Sequence, residues 1–187
     1  MYIEPKDIIL KTGQKVILKS PEAADAAALL EYMRQTSEET HYMLRYPEEI
    51  CISVEQEREY IQSLIEDEKS FMLAAFVEGE LAGNVGVNQL GSWMKIRHRG
   101  ELGIALKEKF FNLGWGTILV KEALQIARNA GFEQIELGVF ADNSRAIHVY
   151  EKLGFKRTGV IPGAYKLKNN VYCEEIQMIY HINAESE

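Results

Sequence analysis

The segment from Glu101 to Phe155 switches back and forth between two hydrophobic periods, and few architectures accommodate that. Glu101 to Leu106 reads as a strand. A loop holding Gly114 and Gly116 then opens a helix, Trp115 to Ala130. Its buried face is Leu119, Val120, Ala123, Leu124 and Ala127, with Lys121, Gln125 and Arg128 opposite, and Gly131 stops it. Ile135, Leu137 and Val139 alternate as a strand. Asn143 caps a short helix with Ala146, Ile147, Tyr150 and Leu153 on one face, ended by Gly154. Strands alternating with helices in this way need a sheet covered by helices, an α/β domain.

The flanking segments fit that frame. Asp7 to Leu10 and Lys15 to Leu18 read as a hairpin turning at Thr12-Gly13. Ser20 before Pro21 predicts a helix start, with Ala26, Leu29, Leu30 and Met33 on one face. Ser53 and Gln56 predict a capping box ahead of Tyr60, Ile61, Leu64 and Ile65. Between these helices lies an unusually aromatic connection, His41 to Pro47. Phe71 to Val77 and Leu81 to Leu90 flank Glu78-Gly79-Glu80, a hairpin turn. Phe155 to Val160 and Val171 to Tyr180 close the chain as strands. The predicted order is ββ-αα-βββ-α-β-α-ββ, a mixed central sheet flanked by helices. A length of 187 residues with no repeat or linker predicts one domain over 1–187.

Charge narrows the partners. With 21 basic against 28 acidic residues, the chain carries −7 at pH 7 and attracts cations, amines among them. Nucleic acid and membrane surfaces are not expected partners. A membrane span needs roughly 20 apolar residues, and Phe71 to Val77 falls far short. The acidic start, Met1 to Asp7, lacks the basic and apolar pattern of a signal peptide, so the cytoplasm is the expected location. Cys51 and Cys173 form no CxxC, and His41, His98, His148 and His181 are isolated from one another, so no metal is expected.

Chemistry concentrates in two places. Glycines at a helix mouth let main-chain N–H groups approach a ligand, and the positive end of the helix suits a pyrophosphate. Leu106 to Thr117 has that form, although a Gly-x-Gly pair alone is equally a tight strand-to-helix turn. The second place is Asn143-Ser-Arg-Ala-Ile-His-Val-Tyr150-Glu-Lys-Leu-Gly-Phe155, which is far more specific.

Together these segments resemble the GNAT superfamily of acyl-CoA-dependent N-acetyltransferases. The family pattern Asn-x-x-Ala-x-x-x-Tyr-x-x-x-Gly-Phe is matched by Asn143, Ala146, Tyr150, Gly154 and Phe155. The hairpin Glu78 to Gly83 and the strand Glu101 to Ile104 also fit, and the resemblance runs from about residue 8 to 182. It implies acetyl-CoA as cosubstrate. The coenzyme would be held by Ile104, Ala105 and Leu106, by the loop Phe111, Asn112, Leu113, Gly114, Trp115, Gly116 and Thr117, and by Asn143 and Tyr150. Phe111 occupies the position where the family carries Gln or Arg, so the loop would bind phosphate through the amides of Asn112 to Thr117. The tail Tyr172 to Met178 is similar to the ribosomal-protein-acetyltransferase-like branch, which often has Asp where Glu174 stands.

The implied reaction is direct attack of a primary amine on a thioester, and family members are often homodimers. A phenol can protonate the departing thiolate, which assigns Tyr150 as acid, or else as a core tyrosine on the face of Ala146 and Leu153. Glu101 is the candidate base, with His98 as alternative and an ion pair to Arg97 or Arg99 as its structural reading. Asn143 reads as coenzyme contact, helix cap or both. In this family the connection between the first two helices roofs the acceptor site, which implies Tyr42, Met43 and Tyr46 for a small-molecule or peptide amine. A non-catalytic acyl-CoA sensor on the same fold is the rival reading. A Rossmann nucleotide binder, with Glu136 on the ribose, fails for want of a third glycine.

Overall fold

The computed structural model describes residues 1–10 and 13–182. The predicted order is the observed one. Strands β1 (Lys6–Ile9) and β2 (Lys15–Lys19) precede helices α1 (Ala26–Glu39) and α2 (Val54–Glu66). Strands β3 (Phe71–Val77), β4 (Glu80–Gln89) and β5 (Arg99–Leu106) follow, then α3 (Trp115–Asn129), β6 (Gln134–Phe140), α4 (Ser144–Lys152), β7 (Lys156–Lys166) and β8 (Tyr172–His181). All eight strands share one sheet in the order β1-β2-β3-β4-β5-β6-β8-β7. Neighbours are antiparallel except β5 and β6, which the α3 crossover makes parallel.

The sheet separates two apolar layers. Alternate residues of β3 point opposite ways, so Phe71, Leu73, Ala75 and Val77 join Leu119, Val120, Ala123 and Ala127 of α3 and Ile147 and Tyr150 of α4. Ala74, Met72 and Phe76 instead meet Ala26, Leu29 and Tyr32 of α1 and Ile61 of α2. Tyr32 is the polar exception in that second layer, and it donates to Asn84 Oδ1 at 3.2 Å, as a buried hydroxyl must.

Local expectations meet two corrections. The capping box at α2 forms as predicted, the Gln56 N–H donating to Ser53 Oγ at 3.2 Å. Glu78 (φ 50°) and Gly79 (φ 83°) make the tight two-residue turn between β3 and β4. Ser20, however, is no helix cap. It is buried, its hydroxyl accepts from the Ile3 N–H at 2.9 Å, and a 3₁₀ turn, Ala23–Asp25, leads into α1 with Glu22 at its cap. Strand β7 also runs past Val160 to Lys166, because its pairing with β8 resumes at Tyr165 after an irregularity. The Thr12 half of the first hairpin turn lies outside the described residues.

Candidate active site

The sheet carries a wedge at its centre. Strands β5 and β6 pair only through Arg99↔Gln134, Gly100↔Ile135 and Glu101↔Glu136. Beyond that rung, Leu102 to Leu106 pair with β4 alone and Leu137 to Phe140 with β8 alone. The facing edges thus present main-chain N–H and C=O groups without ladder partners, and such groups demand hydrogen bonds from whatever enters. At the last rung the Arg99 guanidinium grips Glu136 through two nitrogens, one at 2.7 Å. These bonds hold the Glu136 carboxyl below the usual carboxylate range. Arg99 is therefore not the partner of Glu101, and no ion pair engages Glu101 among the described residues. The structural reading of Glu101 is corrected on that point. Glu136 is a structural ion-pair member, not a ribose-binding acid.

The loop after β5 opens α3 as a cradle of amides. Asn112 (φ 61°) and Gly114 (φ 86°) both take the left-handed conformation, which turns successive N–H groups toward one side. The first well-formed main-chain bond at this end of the helix runs from the Ile118 N–H to the Gly114 carbonyl at 3.2 Å. None of the N–H groups of Asn112 to Thr117 has such a partner among the described residues. A Cβ at Gly114 would meet nothing within 4 Å, so the space beside Gly114 is open. At Gly116 a Cβ would stand 3.9 Å from Leu106 Cδ1 and from Val149 Cγ2, which brings the end of β5 and the flank of α4 to the same mouth. Trp115 is buried beneath, 5.2 Å from the Phe110 ring. Ile104 and Leu106 pack toward the α3 layer, and Ala105 toward α1 and α2.

Helix α4 supplies the two residues of the Asn-to-Tyr pattern. Asn143 caps it, Oδ1 accepting from the Ala146 N–H at 3.2 Å. Tyr150 is buried, 7% exposed, with its ring 5.6 Å from that of Phe155. Its hydroxyl makes no hydrogen bond among the described residues, where Trp115 Nε1 is the one sealed side-chain polar atom without a partner. The Tyr150 hydroxyl therefore keeps an opening to solvent while its ring is enclosed. Burial pushes the phenol pKa up, so it stays protonated at neutral pH.

The opposite face of the wedge is built from remote segments. Phe140 stacks on Tyr165 with centroids 3.9 Å apart and planes 9° off parallel. Tyr42 and His41 close over Phe140 at 5.5 and 5.7 Å, and His41 Nε2 lies 3.4 Å from Asp142 Oδ2. The Tyr165 hydroxyl donates to Glu175 Oε2. The Glu175 carboxylate lies over Gly138, where a Cβ would stand 2.5 Å from Glu175 Cδ and displace the carboxylate. Burial, then the hydrogen bond to Glu175 and its charge, drive the Tyr165 phenol pKa upward. Tyr46 is engaged elsewhere: its hydroxyl accepts from the Lys168 N–H at 2.9 Å, and the Lys168 ammonium sits 4.2 Å from its ring. Met43 is half-buried beside Tyr42. Phe140, Tyr165 and Glu175 were not foreseen from the sequence, where each is an ordinary strand residue. Among the described residues no group of three or more His, Cys, Asp or Glu is gathered to hold a metal, and no helix is long and apolar enough to cross a membrane.

The fold is a mixed sheet parted at its one parallel pair, with an amide cradle at the parting. The acetyltransferase (GNAT) family matches residues 27–155, and the chain belongs to that family. It is 30% identical over 107 residues to L-amino acid N-acetyltransferase AaaT of Escherichia coli (strain K12), covering 57% of this chain and 65% of that protein. The chain thus spans just under two thirds of that relative. Its fold is similar to a GNAT-family acetyltransferase from Streptococcus pneumoniae, with TM-score 0.85, 24% identity, and coverage of 89% and 99% of the two chains. It is also similar to a GNAT-superfamily phosphinothricin acetyltransferase from Sinorhizobium meliloti solved in complex with acetyl-CoA, with TM-score 0.77, 18% identity, and coverage of 89% and 88%.

Proposed function

We propose that the protein is an N-acetyltransferase that moves an acetyl group from acetyl-CoA to a primary amine by direct attack. The observation that carries this reading is the run of unpartnered amides from Asn112 to Thr117 at the mouth of the wedge. A pyrophosphate satisfies those donors, and the extended, amide-bearing arm of the coenzyme satisfies the open edges of β5 and β6. Ile104, Ala105 and Leu106 flank that arm, and Asn143 and Tyr150 approach it from α4. The closing strand, Tyr172 to Met178, is the feature that favours the ribosomal-protein-acetyltransferase-like branch.

The residues divide the proton traffic. Glu101, through water, takes a proton from the acceptor ammonium and frees its lone pair. The nitrogen attacks the thioester carbon, the C–N bond forms, and the C–S bond breaks as the oxyanion collapses. Tyr150 gives its phenolic proton to the leaving thiolate, and the second proton of the attacking nitrogen, shed as the neutral amide forms, restores the phenol. Main-chain N–H groups along the wedge are the available donors for the oxyanion. Glu101, Glu175 and the Phe140–Tyr165 stack favour an acceptor that arrives as a cation, since carboxylates and aromatic faces both attract ammonium groups. Tyr42 and Met43 border that acceptor, while Tyr46 supports the roof through Lys168.

The test is free-thiol release from acetyl-CoA across a panel of amines, with amino acids, diamines and peptides as separate arms. Turnover with cationic amines is expected. Coenzyme binding with no thiol release for any amine would replace the enzyme reading with that of an acyl-CoA sensor.

A further inference from the structure

The amide cradle is electrically neutral apart from its helix dipole, yet one cation stands beside it without an anionic partner. The Arg145 guanidinium carbon lies 4.4 Å from the centroid of the Phe111 ring. Arg145 is exposed and forms no ion pair among the described residues. Its neighbours are committed elsewhere. Asp142 turns to His41, and the two lysines that precede the loop, Lys107 and Lys109, both bind Glu80, at 2.7 and 2.5 Å. Arg145 and Val149 are four residues apart and share one face of α4. Val149 meets Gly116 and Arg145 meets Phe111, so that face runs along the loop from its first residue to the helix mouth.

The position is costly for a cation. Arg145 is the second residue of α4, beside the positive end of the helix dipole, where basic side chains are disfavoured. An anion held between α3 and α4 turns that cost into attraction. Arginine suits the task because its planar fork gives two parallel hydrogen bonds to a phosphate while its face rests on an aromatic ring.

We propose that Arg145, seated on Phe111, clamps the coenzyme pyrophosphate from the α4 side and so completes a phosphate site whose loop offers only main-chain donors. This rests on the acetyl-CoA reading above. It gives Phe111 a role: the ring cannot bind phosphate, but it pre-orients the group that does.

The experiment measures binding by calorimetry and steady-state KM for three acyl donors: acetyl-CoA, 3′-dephospho-acetyl-CoA and S-acetyl-pantetheine. Arg145→Ala should weaken both pyrophosphate-bearing donors roughly 10–100-fold, the range for a charged hydrogen bond, and leave S-acetyl-pantetheine and saturated kcat unchanged. Its melting temperature should hold or rise, since a cation leaves a helix start. Phe111→Leu should cost about 2–5-fold through the lost ring seat. Phe111→Arg placed on Arg145→Ala should regain most of the affinity by returning a guanidinium to the same loop. Equal losses with all three donors, or no loss with any, would overturn the clamp. A loss confined to acetyl-CoA itself would move Arg145 to the ribose phosphate and overturn the pyrophosphate assignment. Wild-type protein that binds no acetyl-CoA would instead end the underlying reading.

Discussion

The two sides of the wedge are made differently. The side proposed for the coenzyme is local: one loop, residues 111–117, and one helix, Ser144–Lys152, supply the amides, the cap, the phenol and the guanidinium. Much of its chemistry is main-chain, fixed by Gly114 and the start of α3. The side proposed for the acceptor gathers Tyr42, Phe140, Tyr165 and Glu175 from the α1–α2 connection and three strands. There Tyr42, Phe140, Tyr165 and Glu175 are side chains packed on or bonded to one another. A backbone cradle tolerates drift in sequence and keeps one ligand. A side-chain wall can be re-specified residue by residue, which suits a family that shares a donor and varies its acceptors.

Tyr150 tests the local side most severely. Tyr150→Phe keeps the ring against Phe155 and removes only the proton donor. The expected loss is about 10²–10⁴-fold in kcat, with acetyl-CoA affinity and melting temperature nearly unchanged. The loss should shrink for acyl donors whose leaving group needs no proton. Wild-type turnover would return Tyr150 to the role of a core tyrosine.

Glu101 lies on the last rung that joins β5 to β6, opposite Glu136. Glu101→Gln should lower kcat/KM about a hundredfold near neutrality and recover as pH rises, because the amine then deprotonates without help. An unaltered pH–rate profile would remove Glu101 and leave solvent or His98 as base.

Gly114→Val asks whether the cradle is truly main-chain. A β-branched residue at φ 86° is strained, and the loop must shift to relieve it. Acetyl-CoA binding should fall at least tenfold, on the order of the 1–2 kcal/mol that left-handed backbone costs an L-residue. Gly116→Val should weaken binding as well, by pressing on Leu106 and Val149. Gly116→Ala should be mild, since its Cβ meets only ordinary contacts. Phe111→Ala should lie below both valine variants.

This contrast also explains what the sequence disclosed. The element order, the wedge-forming strands and the Asn143 cap were legible because each rests on spacing within a short segment: alternation in β6, the helical face of α3, Asn143 three residues before the amide it caps. The acceptor side was not. Glu175 and Tyr165 meet only because β7 returns against β8 through an irregular register, and Phe140 joins them from a third strand. Nothing in a linear pattern encodes that pairing. Arg145 lay within a motif, but its meaning depended on Phe111, which is remote in sequence and adjacent in space. Ser20 misled because Ser-Pro has a helix-start pattern in any context, and here the hydroxyl serves the Ile3 strand entry instead.

On the acceptor side, Glu175→Gln should raise KM for cationic amines about fivefold, a partly exposed charge contact being worth roughly 1 kcal/mol. The acetyl-CoA KM should stay fixed. If both constants move together, the carboxylate over Gly138 supports the wedge as a whole and the two sides are not separable there.

The smallest effect belongs to the rung from which both sides hang. Arg99 lowers the Glu136 carboxyl pKa through its hydrogen bonds, so the folded state prefers the ionised form. Such a group stabilises the fold above its unfolded pKa, about 4.3, and the contribution disappears as pH falls through the lower folded value. The side chains are 36% and 21% exposed, so solvent screening limits the pair to about 1 kcal/mol or less. For a domain of this size that is about 2–4 °C in melting temperature. Glu136→Gln should therefore melt slightly lower than wild type at pH 7, with the gap closing as pH falls below the unfolded value, about 4.3. Because β5 and β6 diverge one residue beyond this pair, a looser rung should raise the KM for acetyl-CoA and for amine by the same small factor. A gap in melting temperature that does not narrow on acidification would mean that packing around Glu136, rather than its charge, holds the wedge at its apex.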